Sequence, residues 1–241
     1  MVAVEADEEL EGPFDIDDFD DPDVATVARL DLGSVLIPMP EGGQVQVEIN
    51  EAGVPNAVWV MTQHGRFTIA AYAAPKSTGL WREVASELAE SLRKERPKVS
   101  IEDGPWGREV VGPGDHRQAG VRFIGVDGYR WMIRCVVNGP QESIGALAEQ
   151  AREALADTVV RRGDTPLPVR TPLPVALPEQ MAAQLQAATE QAQAQAQAQA
   201  EAESAAQGQQ QPEPPQPPAD PAARRATQGS AMQQLRTITG G

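Results

Sequence analysis

The chain has 241 residues and a formal charge of −15, yet 11 acidic side chains fall within the first 25 residues, which hold no Lys or Arg; residues 26–165 carry 18 acids and 16 bases. The acidity belongs to an arm, and the nearly neutral body lacks the electrostatic footprint of a nucleic-acid-binding domain. One cysteine, Cys135, excludes an internal disulfide, no stretch approaches the roughly 20 apolar residues that cross a bilayer, and Glu5, Asp7, Glu8 and Glu9 occupy the place of a signal-peptide core, so a cytoplasmic protein is expected.

Residues 1–26 read as an acidic, disordered arm kept extended by self-repulsion, in which Phe14, Ile16 and Phe19 form a short docking motif or a mere solubilising tail. Residues 27–164 hold most of the aromatic and β-branched side chains and are expected to form one domain. Leu32–Met39 and Gln44–Ile49 read as strands joined by a turn at Pro40-Glu41-Gly42-Gly43, the second with Val45, Val47 and Ile49 on one face. Val58–Thr62 and Phe67–Ala71 flank Gln63-His64-Gly65-Arg66 as a hairpin. Leu80, Trp81, Val84, Ala85, Leu88, Ala89 and Leu92 then recur at helical spacing, with Ser77 or Thr78 as cap and Pro97 as stop.

Weaker strands are expected at Val99–Glu102 and Glu109–Val111, around the loop Asp103-Gly104-Pro105-Trp106-Gly107. Val121–Val126 and Tyr129–Val137 flank Asp127-Gly128, a dipeptide suited to a two-residue turn that would set Val126 opposite Tyr129 and Ile124 opposite Trp131. One face then carries Ile124, Val126, Tyr129, Trp131, Ile133, Cys135 and Val137; the other carries Val121, Phe123, Met132 and Val136 beside Arg130 and Arg134. The second face is too apolar for open water and calls for a cover, from the chain, a partner or a ligand.

A second helix fits residues 142–158, with Ile144, Leu147, Ala148, Ala151 and Leu155 on one stripe. Strands, helix, strands, helix imply an α+β fold: a mostly antiparallel sheet with two packed helices. Residues 165–178 repeat Thr-Pro-Leu-Pro-Val and read as a proline-rich extended strap, either docked on the domain or a plain spacer. Residues 179–241 form a low-complexity Pro/Gln/Ala-rich tail, helix-prone at first but without an apolar stripe after Leu185.

Chemistry is sparse. His64 belongs to a hairpin turn, and His116 lies in a Gly/Pro/Asp loop with no third group to complete a relay. Cys135 sits among apolar neighbours, where a thiol is a small hydrophobe with a raised pKa. One Cys and two separated His give no metal-ligand spacing, and no glycine-rich phosphate loop opens a helix, so no cofactor, metal site or catalytic residue is expected.

Asp31-Leu-Gly-Ser34, Gly79-Leu-Trp81-Arg-Glu, Gly104-Pro-Trp106-Gly107-Arg108-Glu, Gly128-Tyr-Arg-Trp131-Met and Val160-Arg-Arg-Gly163-Asp-Thr-Pro166-Leu-Pro resemble an actinobacterial family defined as a domain of unknown function, number thirty-seven ten, over some 150 residues from about Leu30 to Pro178. The resemblance implies a lineage and a domain boundary and transfers no catalytic residue. The strand and helix order also resembles, weakly, the PsbP-like sandwich of several accessory proteins, which favours interaction over catalysis.

The expectation is therefore a non-catalytic accessory domain with a protein partner, contacted through the second sheet face or the strap. The contact residues expected are Trp106, His116, Phe123, Arg130, Met132 and Arg134. The alternative is a small-molecule module or enzyme with its site in the loops 103–117. A third reading is polyanion binding gated by the arm.

Overall fold

The structure is a computed structural model that describes residues 11–50, 55–96, 98–115 and 118–208, with side chains described as far as residue 200. Strands β1 (Phe14–Asp15), β2 (Arg29–Asp31), β3 (Val35–Pro38) and β11 (Val159–Val160) form a small sheet in the order β1-β11-β3-β2. Strands β4 (Gln44–Ile49), β5 (Pro55–Thr62), β6 (Gly65–Ala73), β7 (Ser100–Gly104), β8 (Gly107–Gly112), β9 (Gly120–Asp127) and β10 (Trp131–Gly139) form an antiparallel sheet in the order β4-β5-β6-β10-β9-β8-β7. Among the described residues, helices α1 (Pro22–Thr26), α2 (Leu80–Glu95) and α3 (Ile144–Ala156) belong to the same compact unit as the sheets, while α4 (Glu179–Gly208) runs into a second unit that begins at Gln186. The α+β class expected from the sequence is the class observed.

Alternation along the strands builds the layers. Phe67, Ile69, Ala71, Ile133, Cys135 and Val137 point from the large sheet to a core shared with Leu147, Ala151 and Leu155 of α3 and with Val35 and Ile37 of the small sheet. Leu36, between them in sequence, points out of the small sheet and packs with Ala25 and Val159. On the opposite face of the large sheet, Leu80, Trp81, Ala85 and Ala89 of α2 cover Met132 and Val110.

Inside this frame lies a charge cluster that no local sequence signal marks. Glu109 is 1% exposed. Its carboxylate accepts from Arg152 Nε at 3.0 Å, from Arg152 Nη2 at 2.8 Å and from Arg122 Nη1 at 2.6 Å, while Arg122 Nη2 reaches Glu102 at 2.7 Å. The hydrogen bonds to Glu109 hold the Arg152 pKa above its ordinary value. A carboxylate so placed clamps α3 to the β8–β9 hairpin.

Several expectations are corrected. The β9–β10 register pairs Ile124 with Cys135 and Val126 with Ile133, so the connection is longer than the two residues expected. Burial of Trp131 decides this: its ring occupies the space that a Gly128 side chain would need, Gly128 N donates to Trp131 O at 2.9 Å, and Trp131 Nε1 donates to Asp15 Oδ2 at 2.7 Å. The change of register is even, so the strand residues keep their assigned faces, but Tyr129 and Arg130 leave the sheet for the loop, Tyr129 at 59% exposure. Leu32–Met39 and Gln44–Ile49 enter different sheets rather than one hairpin.

The cap of α2 is neither Ser77 nor Thr78. Gly79 precedes the helix at φ 114, and Asp127 at the end of β9 accepts from Gly79 N and Trp81 N, both at 2.9 Å. The first ten residues of the expected arm lie outside the described residues, but an extended arm as far as residue 26 is not what the remainder forms. Phe14 and Asp15 add a parallel strand to β11, and Phe14, Ile16 and Phe19 pack against Ala25, Leu36 and Val159. Apolar burial outweighs repulsion among carboxylates that cap turns, as Asp15, Asp18 and Asp21 do.

The strap docks on its own domain, though not on the second sheet face. Strand β5 pairs with β6 only over Trp59–Thr62 and then diverges, leaving the second half of the β6 edge open. The strap fills that edge: Arg170 N donates to Ala73 O, Ala73 N to Thr171 O and Leu173 N to Ala71 O at 2.8–2.9 Å, and Ala176 N continues to Leu32 O at 2.9 Å. Alternate prolines suit this role because they lack the N–H that the outer side of an added strand would leave unpaired. Helix α4 matches the expected helix-prone segment, and its side chains from Glu190 to Ala200 are exposed. No helix among the described residues is long and apolar enough to cross a membrane.

Candidate functional site

Helix α2 covers only part of the second sheet face. Its placement over β8–β10 depends on Gly125, where a Cβ would stand 2.0 Å from Trp81 Cδ2; the bare backbone lets the indole lie flat on the sheet and donate Nε1 to Arg108 O at 2.6 Å. Phe123 and Met132 lie beneath this helix. Along the β4–β6 half of the face runs a groove lined by Ala57, Trp59, Thr68, Ala70, Tyr72 and Val136; it continues through the gap where β5 leaves β6 to Leu32, Ser34 and Val35, with Pro172 to Val175 of the strap among its walls, and the whole space is about 810 Å³.

Two arginine–aromatic pairs define its chemistry. The Arg66 guanidinium lies 4.4 Å from the Trp59 ring centroid, and Trp59 Nε1 donates to Glu48 Oε2 at 2.9 Å. The Arg134 guanidinium lies 4.8 Å from the Tyr72 centroid and donates Nη2 to Tyr72 Oη. Such pairs form because β-pairing sets Trp59 opposite Thr68, beside Arg66, and places Arg134 opposite Ala70, beside Tyr72.

A second, smaller depression of about 340 Å³ opens between α2 and the sheet, lined by Tyr72, Val84, Glu87, Leu88, Ser91, Met132, Arg134 and Arg170. Tyr72 and Arg134 line both. Arg170 ties the strap to α2 through Glu87 at 2.8 and 3.0 Å and Glu83 at 3.3 Å, and the Glu87 hydrogen bond raises its pKa.

Of the expected contact residues, Phe123, Met132 and Arg134 share the second face, as their alternation required. Trp106 and Arg130 do not join them. Trp106 occupies the tight β7–β8 turn, packs against the main core and donates Nε1 to Gly12 O at 2.7 Å, so its polar handle is used within the domain. Arg130 sits in the β9–β10 loop at φ 63, where its carbonyl accepts from Ala74 N and Arg162 Nε. His116 lies outside the described residues. Trp59, Arg66, Thr68 and Tyr72 are not among the expected contact residues, although alternation through the hairpin on either side of Gln63-His64 places all four on one face.

Cys135 is fully buried in the main core, where burial, helped by the nearby Glu109 carboxylate, pushes its thiol far above the ordinary range. Among the described residues no group of three or more His, Cys, Asp or Glu side chains is placed to hold a metal.

These features define an α+β domain with a strapped central sheet, one half-face of which carries a groove lined in part by Trp59, Tyr72 and Arg134. The chain belongs to the family described as protein of unknown function DUF3710, whose model matches residues 12–184. That span takes in the packed half of the arm and the strap, both of which are structural parts of the domain. No curated protein matches the chain. A crystal structure of a protein from Bacteroides thetaiotaomicron aligns at 14% identity and a TM-score of 0.36 over 58% of this chain. The chain spans about half, 51%, of that protein's length, and a likeness this weak transfers neither fold nor function.

Proposed function

We propose that the domain is a non-catalytic interaction module that docks a protein partner on the open β4–β6 half of the second sheet face. The observation that carries this reading is that Trp59, Tyr72 and Arg134 line one concave surface, with Arg134 stacked on Tyr72 and Arg66 stacked on Trp59 beside it. Trp, Tyr and Arg dominate the energetics of protein interfaces, and stacking holds these side chains in place before the partner arrives. Trp106, the anchor of the small-molecule reading, is engaged with Gly12 and offers that reading little. The arm-gated polyanion reading gains nothing from residues 12–26, whose Asp15 is committed to Trp131.

The test is site-specific photocrosslinking in cells of the source organism. A photoreactive residue at Ala57, inside the groove, should give a discrete adduct that disappears when Trp59→Ala and Arg66→Ala are combined. The same probe at Arg82, outside the groove on α2, should not. Equal adducts from both positions, or none from Ala57, would refute docking on this face.

A further inference from the structure

The smaller depression between α2 and the sheet has a different character from the groove. Val84 and Leu88 from α2 and Met132 from β10 form its apolar walls, Tyr72, Arg134, Glu87, Ser91 and Arg170 complete the lining, and its volume of about 340 Å³ lies within the range of small-molecule sites. We propose that it binds a small monocarboxylic acid with an apolar body, the carboxylate resting on Arg134 and Tyr72. This goes beyond the docking reading and does not depend on it.

The argument starts from Arg134, a half-buried guanidinium. Five arginines of the domain have carboxylate partners: Arg29 holds Asp157, Arg122 and Arg152 share Glu109, Arg161 holds Asp31, and Arg170 holds Glu83 and Glu87. Arg134 has no carboxylate within ion-pair distance among the described residues; its hydrogen-bond partner is the neutral Tyr72 hydroxyl, and its shielded Nε has none. A cation withdrawn from water without a counter-ion is unfavourable, and an incoming anion would relieve it. Glu87, the carboxylate in the pocket lining, is paired with Arg170 and makes no ion pair with Arg134.

The donors fit a carboxylate. Tyr72 Oη accepts from Arg134 Nη2, which leaves the Tyr72 hydroxyl hydrogen to donate, and the Arg134 guanidinium has further N–H groups to offer. Two adjacent donors, one on a cation, match the two oxygens of a carboxylate. An aliphatic body would run between Val84, Leu88 and Met132, displacing water from apolar walls.

The probes are hexanoate and hexanamide, alike in shape and differing in charge, titrated into the full chain at neutral pH. Methyl NMR follows Met132, Leu88 and Val84. Hexanoate should bind saturably, shift those methyls and outcompete hexanamide by about tenfold, the scale of a charge-assisted hydrogen bond. Arg134→Met should abolish the preference for the acid, and Tyr72→Phe, which keeps the ring and removes only the donor, should reduce it. The proposal is overturned if acid and amide bind alike, if neither binds at millimolar concentration, or if a folded variant of either kind keeps the wild-type preference.

Discussion

Replacing Glu109 with leucine removes a carboxylate that is 1% exposed and receives three hydrogen bonds from two arginines. The leucine fills similar volume, so the cost falls on what is left behind. Arg152 loses its only ion-pair partner among the described residues, while Arg122 keeps Glu102. Breaking a buried pair from one side costs about 3–5 kcal/mol, and because these arginine side chains are 20% and 18% exposed the lower end, about 3 kcal/mol, applies. In a domain of this size that corresponds to a fall of roughly 6–12 °C in Tm. Urea unfolding of the wild type, Glu109→Leu, Arg152→Leu and the double variant tests the reasoning. The double variant should recover part of the loss, since it no longer strands a guanidinium. A single-variant cost below about 1 kcal/mol, or a double variant equal to the sum of its parts, would show that the cluster does not hold α3 to the sheet.

Other consequences follow from individual contacts. Asp127→Ala removes the acceptor of the Gly79 and Trp81 N–H groups at the start of α2 and should lower stability by about 1–2 kcal/mol, with amide exchange increasing first at Leu80–Glu83. A chain ended at Asp164 should be markedly less stable than one ended at Leu185, because only the first loses the strap's bonds to β6 and exposes Ala71, Ala73 and Leu32; equal chemical denaturation midpoints would contradict this. Cys135 should resist thiol reagents at pH 8 in the native protein and react at once in denaturant, as its burial and raised pKa require. Asp31 loses some solvation on burial, but hydrogen bonds from Arg161 and Gly33 N more than offset this and lower its pKa. Its contribution is therefore present above the unfolded carboxyl pKa of about 4 and fades as pH falls through the lower folded value. Asp31→Asn should flatten part of the acid limb of a stability–pH profile measured from pH 6 to 2.

What the sequence determined by itself was local and periodic. The α+β class, the periodic helix that includes Leu80, the second helix, expected over 142–158 and formed over Ile144–Ala156, and the division of 121–137 into two faces are all written in short-range alternation, and a fold must satisfy that alternation wherever the elements end up. Phe123, Met132 and Arg134 were legible as neighbours for this reason. Tertiary structure decided everything that needed two distant segments at once. Burial of the Trp131 indole against Asp15 overrode a favourable Asp-Gly turn, apolar packing of Phe14 and Phe19 overrode repulsion along the acidic arm, and divergence of β5 opened the edge that the strap fills. Glu109, Arg122 and Arg152 meet only because three elements converge, and Tyr72 and Arg134 become a site only because α2 stops short of covering the sheet. Periodicity specifies which way a side chain faces; what it faces depends on long-range packing, which the pattern of a single segment does not encode.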